Sequence, residues 1–241
     1  MKVLAIGAHP DDIELGCAGA LLRHVAAGDE VTMLVMTPGE MGPQGLTSRV
    51  REQEAASAII GARLIWGTFE DGNVPSGRDA VSLVDRIVNE TGADVIYAHA
   101  PNDTHQDHVA TSVAALASGR RLARVLFYQS PSTTSFNPTV FVDVAKTLGD
   151  KLASLQAHWS QVMQCEMVDL EAVEAGARYW GSRAKVSYAE AFETPRFLWE
   201  IGAGTASDKP STGETADEDS AWDTVVPADR LVSQRLAGAS W

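Results

Sequence analysis

Short apolar runs alternate with helical patterns along the first half of the chain. The apolar runs are typical of buried strands and lie at 2–7, 31–36, 63–66, 94–98 and 124–128. The stretches between them are predicted as helices near 14–27, 48–60, 79–91 and 107–118. Strands and helices that alternate in this way form βαβ units, so the pattern predicts an α/β fold with a parallel sheet.

The predicted helices have one face suited to packing on such a sheet. In the helix near 79–91, apolar residues recur at three- and four-residue steps: Val81, Val84, Ile87 and Val88. Glycines follow three of these helices, as is typical of helix ends: Gly28, Gly61 and Gly92. Further along, 140–142 is predicted as a strand, and 144–159 and 167–180 are predicted as helices.

The composition changes after residue 202. Residues 203–221 are rich in Gly, Ser, Thr, Asp and Glu, so this segment buries too little to offset its ordering entropy and is predicted as a flexible acidic linker. Residues 222–241 are predicted as a C-terminal tail with a short strand at Val225-Val226 and a helical turn. This tail either docks on the domain formed by 1–202 or lies at a homo-oligomer interface.

Composition and charge narrow the class of protein. A chain of 241 residues with 45% apolar content can bury a full core. The net charge of −13 argues against nucleic acids and anionic membranes as partners, because both require basic patches. No apolar run is long enough for a membrane span or a signal peptide, which predicts a cytoplasmic location. Cys17 and Cys165 form no CxxC pair, so we expect neither a disulfide framework nor a thiolate zinc site.

A cluster of ionisable residues follows the first apolar run directly, as Ala8-His9-Pro10-Asp11-Asp12-Ile13-Glu14. Ligands of open α/β folds collect at the carboxyl ends of strands, and glycines at this position would suit a phosphate. An imidazole and three carboxylates would instead suit a divalent metal. Taken alone, the turn is equally typical of a helix cap, with Asp11 or Asp12 accepting backbone N–H groups.

A second cluster, PNDTHQDH at 101–108, follows the apolar run at 95–98. The ends of the first and fourth strands of a doubly wound sheet can be neighbours, so the two clusters can share one site. If a helix begins near Asp107, His105 and His108 can approach one point. One histidine and one carboxylate from the first cluster with one histidine from the second would leave a position open, as catalytic zinc requires.

Together the two motifs resemble the zinc-dependent de-N-acetylase superfamily, which includes bacterial LmbE-like proteins and N-acetylglucosaminyl-phosphatidylinositol deacetylases. Further segments resemble the family in the same order: TPGEMG at 37–42, Arg51-x-x-Glu54-x-x-x-Ala58 and FEDG at 69–72. The resemblance covers 1–202 and implies a Rossmann-like, three-layer α/β/α fold with a mostly parallel sheet.

The resemblance also implies roles for the clustered residues. His9, Asp12 and His108 would bind one Zn²⁺ per chain, although the same ligands also accept Fe(II), Co(II) or Mn(II). Asp11 would be the general base, and His105 would polarise the carbonyl or protonate the leaving amine. Asp107 is a candidate for orienting an imidazole.

Four further residues are candidate substrate contacts: Arg51, Asp71, Glu40 and Tyr128. Arg51 either contacts a sugar hydroxyl or carboxylate or forms a surface ion pair. Asp71 lies in a local turn, and Tyr128 begins a polar segment that forms either a substrate lip or a plain loop. Glu14 is expected to complement a helix dipole, with a role in holding His9 or the base as the alternative, and His158 is also expected to complement a helix dipole.

These expectations converge on a zinc-dependent hydrolase that removes an N-acyl group, most simply acetyl, from an N-acetylglucosamine-type amino sugar or small glycoconjugate. Two alternatives stay open: an amidase acting on thiol conjugates, and a metal-dependent carbohydrate-binding protein without catalysis. A nucleotide-binding enzyme is disfavoured because the glycine fingerprint is missing.

Overall fold

The computed structural model describes residues 1–42, 46–164 and 168–199. The predicted linker at 203–221, the tail at 222–241 with its strand at Val225-Val226, and Cys165 all lie outside these ranges. Cys17 is within them and is buried.

Strands and helices alternate along the described part of the chain. The strands are β1 (Lys2–Gly7), β2 (Glu30–Val35), β3 (Arg63–Trp66), β4 (Val95–His99), β5 (Arg124–Tyr128), β6 (Val140–Asp143) and β7 (Ala189–Phe197). The α-helices are α1 (Asp12–Ala26), α2 (Leu46–Ile60), α3 (Arg78–Thr91), α4 (Gln106–Ser118), α5 (Leu148–Gln156) and α6 (Leu170–Ala184). A short π-helical segment, Ser160–Gln164, lies between α5 and α6.

The strands form one seven-stranded sheet in the order β3-β2-β1-β4-β5-β7-β6. Strands β1 to β5 are paired in parallel, and β7 is antiparallel to both β5 and β6. Apolar residues of α1 and α2 form a core on one face of the sheet, and those of α3 and α4 form a core on the other. The predicted three-layer fold with a mostly parallel sheet is thus confirmed.

Strand β1 shows why its sequence reads as a continuous apolar run. Val3 and Ala5 belong to the core beneath α1, whereas Leu4 and Ile6 belong to the core beneath α3 and α4. Successive side chains of a strand point to opposite faces, so a strand covered on both faces must be apolar at every position.

Strand β7 is not predicted by the sequence, because its glutamates interrupt any apolar pattern. The structure buries Glu190 and gives its carboxylate three partners: Lys151 Nζ at 2.6 Å, and the backbone N–H groups of Gly19 and Ala20 at 2.9 and 2.7 Å. These partners come from α5 and α1, far away in sequence. The predicted helix at 144–159 is also shorter in the structure and ends as α5 at Gln156.

The order of the strands places a crevice between the carboxyl ends of β1 and β4. β1 and β4 are neighbours, but α1 and α4, which follow them, cover opposite faces of the sheet. The two connections therefore diverge at the carboxyl ends of β1 and β4, which is where ligands of doubly wound sheets bind. None of the described helices has the length and apolar character needed to cross a membrane.

Candidate metal centre

The two ionisable clusters meet at this crevice around a cavity of about 570 Å³. Its lining includes five residues of the two clusters: His9, Asp11, Asp12, His105 and His108. The first three lie between β1 and the first turn of α1, and the others lie at the start of α4. Asp107 lies behind the cavity wall and is completely buried.

His9 lies between carboxylates on both sides of its ring. Its Nε2 is 3.1 Å from Asp71 Oδ1 and 3.1 Å from Asp107 Oδ2, and its Nδ1 is 3.4 Å from Asp12 Oδ2. Burial alone would lower the pKa of His9, but hydrogen bonds with these three carboxylates raise it well above its ordinary value. An environment this negative stabilises a cation, whether a proton or a metal ion that displaces it.

Asp12 is the carboxylate that links the histidines. Its Oδ1 lies 3.4 Å from His108 Nε2, and its Oδ2 lies 3.1 Å from His99 Nε2. The Asp12 carboxylate also accepts the backbone N–H of His9 at 2.7 Å. Burial would raise the pKa of Asp12, but the surrounding imidazoles lower it well below its ordinary value, which favours the ionised form that binds metals.

His99 is a site residue that sequence reasoning missed. It is the last residue of β4 and is fully buried, and its ring stacks on that of His108 with 3.9 Å between centroids. The backbone N–H of Ala8 donates to its Nε2 at 3.2 Å. The available signal was a single histidine at the carboxyl end of an apolar strand, where ligands collect.

The donors present fit a divalent metal. Three overlapping groups have ligand atoms within 4.8 Å of one another: His9, His105 and His108; Asp12, His99 and His108; and His9, Asp71 and Asp107. The predicted ligands His9, Asp12 and His108 are distributed among these groups and face one cavity. Imidazole and carboxylate donors suit zinc and related divalent ions. In addition, the buried Nδ1 of His99 has no hydrogen-bond partner among the described residues.

Asp11 adopts a strained backbone conformation, with a φ of 91° in the left-handed region. Two residues of α2 hold it there. Gln53 Oε1 accepts the backbone N–H of Asp11 at 3.2 Å, and Arg49 donates to Pro10 O at 2.5 Å and to Asp11 Oδ2 at 3.2 Å. Burial raises the pKa of Asp11 to about 6, against the opposing charge of Arg49. Such strain is typical of functional sites, where surrounding structure maintains it.

The structure places the other arginine of α2 away from the cavity. Arg51, a predicted substrate contact, is exposed, whereas Arg49 is buried and lines the cavity. Residues two apart on a helix are separated by about 200° around its axis, so only one of the two can face α1. The position of Arg51 therefore does not support its predicted contact with substrate, and Arg49 is the arginine of α2 that lines the cavity.

The remaining candidate substrate contacts differ in position. Asp71 lines the cavity and accepts the backbone N–H of Met41 at 3.1 Å. Glu40 is partly exposed in the loop after β2 and is not part of the lining. Tyr128 is fully buried beneath α1, and its hydroxyl donates to Ile6 O at 2.8 Å. Because Tyr128 packs in the core, its predicted contact with substrate is not supported.

His105 and Asp107 are oriented by the start of α4. The Asp107 carboxylate accepts the backbone N–H groups of Gly72 at 2.7 Å and Val74 at 3.1 Å, which fixes it against His9. The backbone N–H of Asp107 in turn donates to His105 Nδ1 at 3.2 Å. Burial and the neighbouring imidazoles of His9 and His108 lower the pKa of His105. The neutral ring therefore carries its proton on Nε2 and can donate it in a hydrogen bond.

A second carboxylate orients His108. Asp103 Oδ2 lies 3.3 Å from His108 Nδ1 and accepts a hydrogen bond from Ser130 Oγ at 2.5 Å. Burial would raise the pKa of Asp103, but Ser130 and other hydrogen-bond donors hold it well below its ordinary value. A carboxylate on one ring nitrogen fixes the orientation of the other, as in many metal sites. Asp103 lies within the second motif, but the sequence assigned it no role.

Glu14, in the first turn of α1 as its expected helix-dipole contact requires, and His158, just past the end of α5, form a buried pair behind Asp11. Both side chains are fully buried, with 3.5 Å between His158 Nε2 and Glu14 Oε1. Gln53 Nε2 donates to the same Glu14 oxygen at 2.7 Å. Burial alone would lower the pKa of His158, but Glu14 raises it. The pair thus holds Gln53, which holds the backbone of Asp11.

A doubly wound sheet with histidines and aspartates at its switch point defines an α/β protein with a candidate divalent-metal centre. A family model described as GlcNAc-PI de-N-acetylase (PIG-L) matches residues 4–118. The chain is also 38% identical over 167 residues to an uncharacterized deacetylase of Escherichia coli, YaiS, in a match that covers 66% of the chain and 90% of the relative. The chain therefore belongs to the PIG-L/LmbE-like de-N-acetylase family, a family of amide hydrolases.

Two further similarities agree with this assignment. A diacetylchitobiose deacetylase of Thermococcus kodakarensis is 27% identical over 186 residues, which covers 66% of the chain and 70% of that protein. A crystal structure of a conserved protein from Thermus thermophilus superposes with a TM-score of 0.75 at 30% identity and covers 86% of the chain and all of that structure. The family that the motifs resemble is confirmed.

Proposed function

We propose that the protein is a zinc-dependent hydrolase that removes the acetyl group from an N-acetylglucosamine-type amino sugar or a small glycoconjugate. His9, Asp12 and His108 would hold one zinc ion per chain. The observation that carries this proposal is the convergence of these three residues with Asp11 and His105 around one cavity. The name of the Thermococcus relative, a diacetylchitobiose deacetylase, supports an amino sugar as the substrate class.

The residues around the cavity divide the work that amide hydrolysis requires. Zinc, when bound, supplies a more acidic water and polarises the acyl oxygen. Asp11 takes a proton from the attacking water and delivers one to the leaving nitrogen. Both transfers require the Asp11 carboxylate to lie within hydrogen-bond distance of the water and of that nitrogen. The Nε2–H of His105 donates to the oxyanion that develops on the acyl group, a contact worth about 3 to 4 kcal/mol in comparable enzymes.

The remaining cavity lining suits a hydroxylated ligand. Arg49, Asp71 and Ser132 present polar side chains, next to the backbone of Gly42 and Gly72. The cavity volume of about 570 Å³ lies within the range of small-molecule sites, roughly 300 to 1,000 Å³. A sugar ring with its acetamide group therefore fits this space.

The presence of both Asp11 and His105 beside the predicted ligands supports catalysis over binding alone, because a binding protein needs neither a base nor a proton donor there. The φ of 91° at Asp11 adds the backbone strain that is typical of functional sites. Hydrolysis of thiol conjugates would use the same residues, so the site alone does not distinguish the two substrate classes. A thiol conjugate is therefore included in the test.

The test is acetate release by the zinc-loaded protein. N-acetylglucosamine, N,N′-diacetylchitobiose and an S-conjugate of N-acetylcysteine are each incubated with the protein, and acetate is measured by a coupled enzymatic assay. We expect acetate from the sugars and none from the thiol conjugate. Selective hydrolysis of the thiol conjugate, or no release from any substrate by protein that contains stoichiometric zinc, would refute the proposed substrate class.

A further inference from the structure

A second cavity, of about 390 Å³, adjoins the first. Leu15, Pro131 and Val168 border both cavities, so the two cavities lie side by side. The second cavity contains none of the metal-site histidines or aspartates described above.

Small residues create this space. One face of α6 forms a wall, with residues at helical spacing: Ala172, Val173, Gly176, Ala177 and Trp180. Gly16 of α1 and Ala189 and Ala191 of β7 are also in the lining. A Cβ atom placed on Gly176 would have no described heavy atom within 4 Å, so this glycine faces open space.

The lining combines an aromatic ring with polar groups. Trp180 is partly exposed and is held by Phe136 and Phe141, whose ring centroids lie 5.7 and 6.3 Å from its own. Gln129 and Asp169 supply exposed polar side chains. An indole with polar groups beside it suits a ligand that has one apolar face and a hydroxylated edge.

The lysine in this lining is paired with a buried glutamate. Lys151 Nζ lies 2.6 Å from Glu190 Oε1, and both side chains are only 4% exposed. Lys151 also donates to Leu15 O at 2.8 Å. Because this pair is neutral overall and the remaining charge of the lining is the Asp169 carboxylate, the cavity disfavours an anion and suits a neutral ligand.

We propose that this second cavity is a subsite for a second sugar ring, linked glycosidically to the ring that bears the acetamide group in the catalytic cavity. The inference rests on the proposed function and deepens it, since it makes an oligosaccharide the preferred substrate. A pyranose ring has the apolar face and hydroxyl edge that the lining matches. A long acyl chain would require apolar walls alone.

A leucine at Gly176 tests the subsite because it fills the open space. The matched control is Gly149→Leu, since Gly149 is also helical and also faces open space, but lies outside both cavities. Acetate release is measured with N-acetylglucosamine, N,N′-diacetylchitobiose and N-hexanoylglucosamine, the last through release of its hexanoate. We expect Gly176→Leu to lower kcat/KM about tenfold for the disaccharide and to change kcat/KM by less than about twofold for the monosaccharide. Gly149→Leu should leave kcat/KM unchanged for both substrates.

Binding provides a readout that does not require turnover. The dissociation constant of N,N′-diacetylchitobiose is measured by calorimetry with the Asp11→Asn variant, with and without Gly176→Leu, and we expect binding about tenfold weaker with the leucine. Equal dissociation constants would overturn the subsite even if no substrate were hydrolysed. A selective loss with N-hexanoylglucosamine would overturn it too, by placing the acyl chain in this cavity. If no substrate were hydrolysed but the leucine still weakened disaccharide binding about tenfold, the proposed function would be refuted. The subsite would then still be supported.

Discussion

At the scale of single residues, the arginine that holds Asp11 is the most informative position. Arg49 pairs with the Asp11 carboxylate and the Pro10 carbonyl, whereas Arg51 is exposed on the same helix. Arg49→Ala removes the cation from a buried carboxylate, so we expect kcat/KM for amide hydrolysis to fall about 10- to 100-fold, as for other residues that orient site groups. Arg51→Ala should reduce kcat/KM by less than about twofold.

The two alanine variants control for each other, because both remove one charge from α2. Circular dichroism and thermal unfolding establish that each variant is folded before kinetics are compared. A larger loss of activity with Arg51→Ala than with Arg49→Ala would show that the structure places the wrong arginine at the site.

The site residues found from sequence are those that lie beside one another in the two motifs. One turn contains His9, Asp11 and Asp12, and the sequence alone indicates that such a cluster can bind a metal. Arg49, Gln53 and His99 reach the same site as single polar residues from α2 and β4. Arg49 and Gln53 carry no signal of their own, because only the packing of α2 shows which of its polar residues face the site. His99 carries one signal, its position at the carboxyl end of an apolar strand.

At the scale of elements, the packing of α1 on the sheet depends on Gly16. A Cβ at this position would lie 2.1 Å from an atom of the Tyr128 ring, which is fully buried in β5. Gly16→Ala should therefore destabilise the protein by about 1 to 3 kcal/mol through overpacking. This loss should occur despite the better helix propensity of alanine, which favours the variant by about 1 kcal/mol.

Urea unfolding of Gly16→Ala and of Gly149→Ala measures this effect. Gly149 lies in α5 with open space around its Cβ position, so its replacement by alanine should leave stability unchanged or raise it by up to about 1 kcal/mol. If Gly16→Ala were as stable as Gly149→Ala, the close contact between α1 and β5 would be wrong.

The strands could be predicted from the sequence where burial on both faces makes every position apolar. Strands β1 to β5 are covered by helices on both faces and therefore appear as apolar runs. Strand β7 was missed because Glu190 lies within it, buried by an ion pair with Lys151 of α5. That pair forms only once α5 has packed, so nothing near Glu190 in sequence predicts a strand.

At the scale of the whole molecule, the topology of the sheet brings the chemistry together. β1 and β4 are adjacent although α1 to α3 separate them in sequence, and their carboxyl ends carry the two ionisable motifs. This convergence follows from the general rule for doubly wound sheets, so the location of the site was predictable. The boundaries of the second cavity were not, because it depends on how α6 packs against β7 and α1.

The central claim is that His9, Asp12 and His108 hold the metal while Asp11 acts on the substrate. Zinc content by mass spectrometry and acetate release are measured together for the wild type, Asp11→Asn, Asp12→Ala and His108→Ala. Asp11→Asn should retain about one zinc per chain and lose activity at least about a hundredfold, since a general base is removed. Asp12→Ala and His108→Ala should lose both zinc and activity. Normal acetate release by Asp11→Asn, or full zinc content in Asp12→Ala and His108→Ala, would contradict this division of roles.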